Sequence, residues 1–188
     1  MTTLFIGTSH VKRFSSYLGN RGTSAELFNI DGLPPVRFFG LSGGTVTNPR
    51  HLESFLAAVQ HHRPKFLVVH LGGNDLDSDE DNTQLVVLKL IAFLQTVKVR
   101  FTIHKVTVVK LLPREQTRHV DPVFYNQRVI AANTFLKDQC ALTGLVYWRM
   151  RGFTNSGTNI FADGVHLNSV GMNKYFRQLR GILLSHTF

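Results

Sequence analysis

The sequence holds one cysteine, Cys140, among 188 residues, so no disulfide can form within the chain. That scarcity fits a reducing compartment, and Cys140, inside an expected helix, reads as a packed, inert thiol. Acids are scarce as well: 12 against 21 basic residues, for a formal net charge of +9. Four of the twelve stand in one run, DSDED at 77–81. A surface this basic favours polyanions, whether nucleic acid, an anionic membrane face or an acidic partner. Long apolar runs are missing too. The nearest, QLVVLKLIAFLQTVKVRF at 84–101, is broken by Lys89, Lys98 and Arg100. That excludes a membrane span and predicts a buried core helix. The opening MTTLFIGTSH has no basic leader and too short an apolar part for a secretory signal. We therefore expect an intracellular, cytoplasmic protein. No linker, repeat or low-complexity segment is present, which predicts one domain over residues 1–188.

Missing motifs exclude several chemistries. There is no G-x-S-x-G elbow of the usual α/β-hydrolase. There is no G-x-x-x-x-G-K-[ST] and no G-x-G-x-x-G, so nucleotide and dinucleotide binding lack support. None of the nine histidines belongs to an H-E-x-x-H pair. Asp75, Asp77, Asp79 and Asp81 alternate as in a calcium loop, but Glu80 stands where glycine is needed and Val86 where the closing Glu belongs. No metal or cofactor is expected, and the acidic run reads as a solvated loop before a helix.

What is present is a regular alternation of apolar runs and helical segments. Strands are predicted at 3–8, 36–42, 65–71, 105–112 and 145–150. Helices are predicted at 10–19, 50–63 (opened by Pro49), 82–99, 122–142 and 168–185, with a turn-rich stretch over 20–35. Strands that are nearly all apolar imply a parallel sheet covered on both faces. The expected fold is α/β: a three-layer α/β/α sandwich on a five-stranded parallel sheet, in the flavodoxin-like order 2-1-3-4-5. Ligands in such sheets bind beyond the carboxyl ends of the strands, beside strand one. The loops after strands one, two and three meet there.

Those loops carry the unusual residues. IGTSHV (6–11) puts Ser9 at a strand-to-helix junction, with its N–H at a helix N-terminus. LSGGTV (41–46) offers two glycines for close backbone approach. LGGNDL (71–76) offers Asn74, whose uncharged amide N–H₂ suits an oxyanion. ADGVHLN (162–168) spaces Asp163 and His166 so that a carboxylate can reach one ring nitrogen and leave the other facing a serine. Each alone also reads as ordinary structure: a helix cap, a turn, an Asx-turn. His10 adjoins Ser9 and reads as a wall of the site, not a base. His61 and His62 close a helix, where cations are favoured.

Taken together, GTSH, LSGG, GGND and DGVH resemble the four blocks of the SGNH (GDSL-like) hydrolases, named for an invariant Ser, Gly, Asn and His. The resemblance runs from residue 4 to about 175. It implies a serine esterase acting on short-chain acyl or acetyl esters, with Ser9 as nucleophile, His166 as general base and Asp163 orienting it. It also implies an oxyanion hole from the N–H groups of Ser9 and Gly43, preferred to Gly44, and the amide of Asn74. Thr8 departs from the family's usual Asp before the serine. We expect its hydroxyl to replace part of that Asp's hydrogen bonding and the geometry to survive. For His166 to return over Ser9, residues 151–163 must cross about three strands, ~14 Å at ~4.8 Å per strand. At up to ~3.3 Å per residue they can.

Some domains of this type, such as the C-terminal domain of Oskar proteins, bind RNA without catalysis. Similar esterase domains accompany nucleic-acid-binding segments in certain retrotransposon products. With the basic surface, this leaves an alternative: a weakened SGNH-like module that binds RNA or another polyanion.

Overall fold

Five short parallel strands, each followed by a helix, organise the chain. The computed structural model describes residues 2–19, 28–153 and 159–187. The order is β1 (Thr3–Gly7), α1 (Ser9–Gly19), β2 (Val36–Gly40), α2 (Pro49–His62), β3 (Phe66–His70), α3 (Thr83–Arg100), β4 (Lys105–Val109), α4 (Pro122–Thr143), β5 (Val146–Trp148) and α5 (Ser169–Thr187). Parts of the turn-rich stretch (20–27) and of the return loop (154–158) lie outside the described residues.

The strands pair in parallel in the order β2-β1-β3-β4-β5, the order read from the sequence. Alternation of side chains divides the core in two. Leu4, Ile6, Leu67 and Val69 pack against Phe55 and Val59 of α2, Leu90 and Leu94 of α3 and Leu136 of α4. Phe5 and Val68 point the other way, onto Phe14 and Leu18 of α1 and Tyr175 and Leu179 of α5. Three layers result. The 84–101 run forms most of α3, burying Val86, Val87, Leu90, Ile91, Leu94 and Val97 while Leu85, Leu88 and Val99 stay exposed. Among the described residues, no helix is long and apolar enough to cross a membrane.

Helix boundaries follow local chemistry. Asn48 caps α2 by accepting from the Arg50 N–H, with Pro49 next; Asp121 does the same for α4 before Pro122. Cys140, in α4, is buried and free, and burial pushes its thiol up to about 11. Strand ends fall one to three residues from the sequence reading, the largest difference being in β4. The apolar run 105–112 leaves the sheet at Val109. Beyond it the buried side-chain amide of Asn133 takes the place of a strand, accepting from Leu111 N–H (2.8 Å) and donating to Leu111 C=O (3.0 Å).

Register places the functional end. Gly7 pairs with both Gly40 and His70, so β2, β1 and β3 stop at one level. The loops that leave them start side by side.

Candidate active site

Ser9 is the first residue of α1, two residues beyond the last of β1. The Thr8 carbonyl accepts from the N–H groups of Val11 (3.1 Å) and Lys12 (3.2 Å), which turns strand into helix. The Thr8 hydroxyl makes no hydrogen bond among the described residues. The expectation that it substitutes for an aspartate side chain is therefore corrected: backbone alone holds this turn. The Ser9 N–H is left without an acceptor among the described residues.

Asp163 and His166 sit on a small hairpin. Ala162 N–H donates to the His166 carbonyl (2.7 Å) and Asn168 N–H to that of Ile160 (2.8 Å), closing the antiparallel bridge Phe161–Leu167. Asp163 Oδ1 accepts from the N–H groups of Val165 (3.1 Å) and His166 (2.7 Å). Its Oδ2 lies 2.7 Å from His166 Nδ1, and His166 Nε2 lies 3.0 Å from Ser9 Oγ. Partial burial opposes ionisation of Asp163, but these bonds outweigh it and hold the carboxyl well below the usual carboxylate range. Gly164, at the hairpin tip, has φ +77°, and a Cβ there would lie 2.3 Å from Gln116 Cγ. Its carbonyl accepts from Glu115 (2.7 Å) and Gln116 (3.1 Å), pinning the hairpin to the β4–α4 loop.

The second and third loops are locked together. Gly44 N–H donates to Leu41 C=O (3.0 Å), whereas Gly43, at φ +71°, keeps an N–H with no acceptor among the described residues. Asp75 is buried and accepts from the N–H groups of Val46 (3.0 Å) and Thr47 (2.9 Å) and from the Thr47 hydroxyl (2.8 Å). Burial raises its pKa against those bonds. Asn74 Nδ2 donates to Gly44 C=O (3.0 Å), which uses one of its two N–H bonds, and its Oδ1 accepts from Arg114 (2.6 Å).

Arg114 also donates to Asp77 at 3.2 Å and lies 4.9 Å over the Tyr125 ring. Asp77 further accepts from the N–H groups of Arg118 (2.9 Å) and His119 (3.0 Å). Burial works against its charge, but those amides and Arg114 hold it below the usual range. The sequence suggested that the acidic run solvates a loop; Asp77 is instead buried and carries a structural ion pair. Asp81 fits the earlier reading better, accepting from Thr83 at the start of α3.

His10 is not a wall of the cleft. It is buried behind Ser9, stacked on His70 at 5.5 Å between ring centroids and 6.0 Å from the His166 ring. His70 Nδ1 lies 2.8 Å from the Tyr175 hydroxyl. Burial, helped by His70 and Arg114, lowers the pKa of His10 well below the ordinary histidine value. Burial and then Arg114 lower that of His70 to about 4. Both rings are neutral near pH 7.

All five residues singled out from the sequence meet at the carboxyl end of the sheet. Ser9, Gly43, Asn74 and His166 line a cleft of ≈ 600 Å³, with Asp163 behind His166. A hydroxyl facing an imidazole whose other nitrogen faces a carboxylate is the arrangement of nucleophile, base and orienting group. No group of three or more metal-ligating side chains gathers among the described residues. Arg114 and His70 escaped the sequence reading, and Asp75 and Asp77 entered it only as part of an acidic alternation. A signal existed for Arg114: a charge two residues beyond the apolar run 105–112, at the end of the sheet where ligands bind.

A family model described as "GDSL-like Lipase/Acylhydrolase family" matches residues 6–174. No curated protein matches. Among solved structures, a GDSL-like lipase from Bacteroides thetaiotaomicron is 16% identical, with a TM-score of 0.77 over 98% of this chain and 88% of that one. A mutant of Axe2, an acetyl-xylooligosaccharide esterase from Geobacillus, is 16% identical, with a TM-score of 0.67 over 97% and 93%. A lipase/acylhydrolase from Enterococcus faecalis is 17% identical, with a TM-score of 0.62 over 97% and 97%. At these identities the likeness is one of fold.

Proposed function

Because this chain belongs to the GDSL-like lipase/acylhydrolase family, we propose that it hydrolyses short-chain carboxylic esters through an acyl-enzyme on Ser9. The observation that carries this reading is the chain of contacts from Asp163 Oδ2 to His166 (2.7 Å) and from His166 to Ser9 Oγ (3.0 Å).

With Nδ1–H donating to Asp163, His166 Nε2 accepts the Ser9 proton as Oγ attacks the ester carbonyl. Asp163 stabilises the imidazolium that forms. The carbonyl oxygen gains negative charge and accepts from the free N–H groups of Ser9 and Gly43 and from the second N–H of Asn74. Arg114 is a positioning residue here. By bonding Asn74 Oδ1 it fixes which way the amide faces, and its charge polarises the N–H on the other side. His166 then protonates the departing alkoxide. Water, deprotonated by His166, cleaves the acyl-enzyme in the reverse sequence of steps.

Ser9→Ala should abolish turnover of a short-chain aryl ester and labelling by a fluorophosphonate, with the circular dichroism spectrum unchanged. Turnover equal to that of the unmodified protein ends the assignment.

A further inference from the structure

The described residues that line the cleft around Ser9 are nearly all polar or charged. Its side chains include Ser9, Lys12, Arg13, Ser16, Thr45 and Arg118, and Val165 is the single aliphatic among the described lining residues. The cations come from two separate elements. On α1, Ser9, Lys12, Arg13 and Ser16 recur at helical spacing and share one face, while Val11, Phe14 and Leu18 bury the other. Arg118 enters from the β4–α4 loop. None of the Lys12, Arg13 and Arg118 side chains makes a hydrogen bond or ion pair among the described residues.

The neighbouring carboxylates do not neutralise them. Asp77 is taken by Arg114 and two backbone amides, and Asp163 by His166. Glu80 and Asp81, from the acidic run, line a separate depression between α3 and α4. Three cations with no ion-pair partner among the described residues therefore converge on the cleft of the nucleophile. Arginine's planar fork suits a tetrahedral oxyanion, and lysine adds a point charge.

We propose that this cleft selects small esters that carry an anionic group of the phosphate class beside the scissile bond, held by Lys12, Arg13 and Arg118. The proposal rests on the ester-hydrolase reading and names the substrate class for it.

The test compares two acetates with similar leaving phenols, 4-acetoxyphenyl phosphate and 4-methoxyphenyl acetate. At low ionic strength, kcat/KM for the phosphorylated ester should exceed that for the neutral one by about tenfold or more, since charge-assisted contacts are the strong ones. The ratio should shrink several-fold at about 0.5 M salt. It should approach one when Lys12→Gln, Arg13→Gln and Arg118→Gln are combined. A ratio at or below one in the unmodified protein, with the neutral ester still hydrolysed, overturns the anion proposal and leaves the esterase reading standing. Turnover of neither ester, with no labelling of Ser9, overturns the esterase reading instead. Calorimetry with phenyl phosphate on the Ser9→Ala protein then decides the anion site: saturable binding lost in the triple variant supports it, and no binding overturns it.

Discussion

The cleft has two polar walls, and they are held differently. On one, Asp163 reaches His166 across three residues, with side chains 49% and 19% exposed. On the other, Arg114 joins Asn74 and Asp77 across 40 and 37 residues, and the Arg114 and Asp77 side chains are only 8% and 4% exposed. The first pair is organised by a local turn whose backbone amides bind the carboxylate. The second is organised by burial: each charge would be unfavourable there without the other. The first wall should therefore govern rate with little effect on folding, whereas the second should govern both.

The largest expected effect is on the first wall. Asp163→Asn keeps an oxygen for the Val165 and His166 amides but can no longer hold the imidazolium. We expect kcat to fall ~10⁴-fold, with stability in urea changed by less than ~1 kcal/mol. A stability loss as large as that of a buried-charge variant would break the contrast. Next comes Arg114→Met, which strands Asp77. It should cost about 3–5 kcal/mol in denaturant unfolding. Arg114→Lys sharpens the point: it keeps the charge but not the fork that serves Asn74 and Asp77 together. Its stability should lie between the two, with kcat still reduced. Asn74→Ala should lower kcat by ~10²–10³, and a rate unchanged within threefold would remove Asn74 from the oxyanion site.

The smallest effect concerns what lies beneath both walls. His70 is buried as the neutral ring, with its pKa lowered from 6.5 to about 4. The unfolded chain thus binds a proton that the folded one refuses throughout that window. This stabilising contribution is complete above pH 6.5, declines as pH falls and is gone below about 4. It amounts to on the order of 3 kcal/mol. His10 is shifted in the same direction and should steepen the loss. His70→Gln should flatten the pH dependence of urea unfolding between pH 4 and 6.5. An equally steep profile in that variant would show that other groups set it.

The fold was largely legible. Apolar runs such as FLVVH at 66–70, buried at every position, could only belong to a sheet covered on both faces. Pro49 marked the start of α2. The end of β4 was not legible, because Asn133 continues the backbone pairing where the strand pattern fails. The candidate site was legible where its chemistry is local: Ser9 at a helix start, Gly43 in its loop, and Asp163 three residues before His166. Arg114 and Asp77 were not. A charge inside DSDED looks like solvation until a distant guanidinium is seen to cover it. Lys12 and Arg13 were not singled out from the sequence, because their place beside the cleft depends on how α1 packs.

By itself, then, the sequence determined the strand order, the helix ends and the short-range pairing of Asp163 with His166, because each depends on neighbours along the chain or on apolar periodicity. Tertiary structure alone decided which acid is buried, which face of Asn74 points into the cleft, that His10 lies behind Ser9, and that three cations surround it. These depend on how the elements pack, as where Arg114 meets Asp77 across 37 residues, and on burial, which sets what a charge costs and how it must be paired.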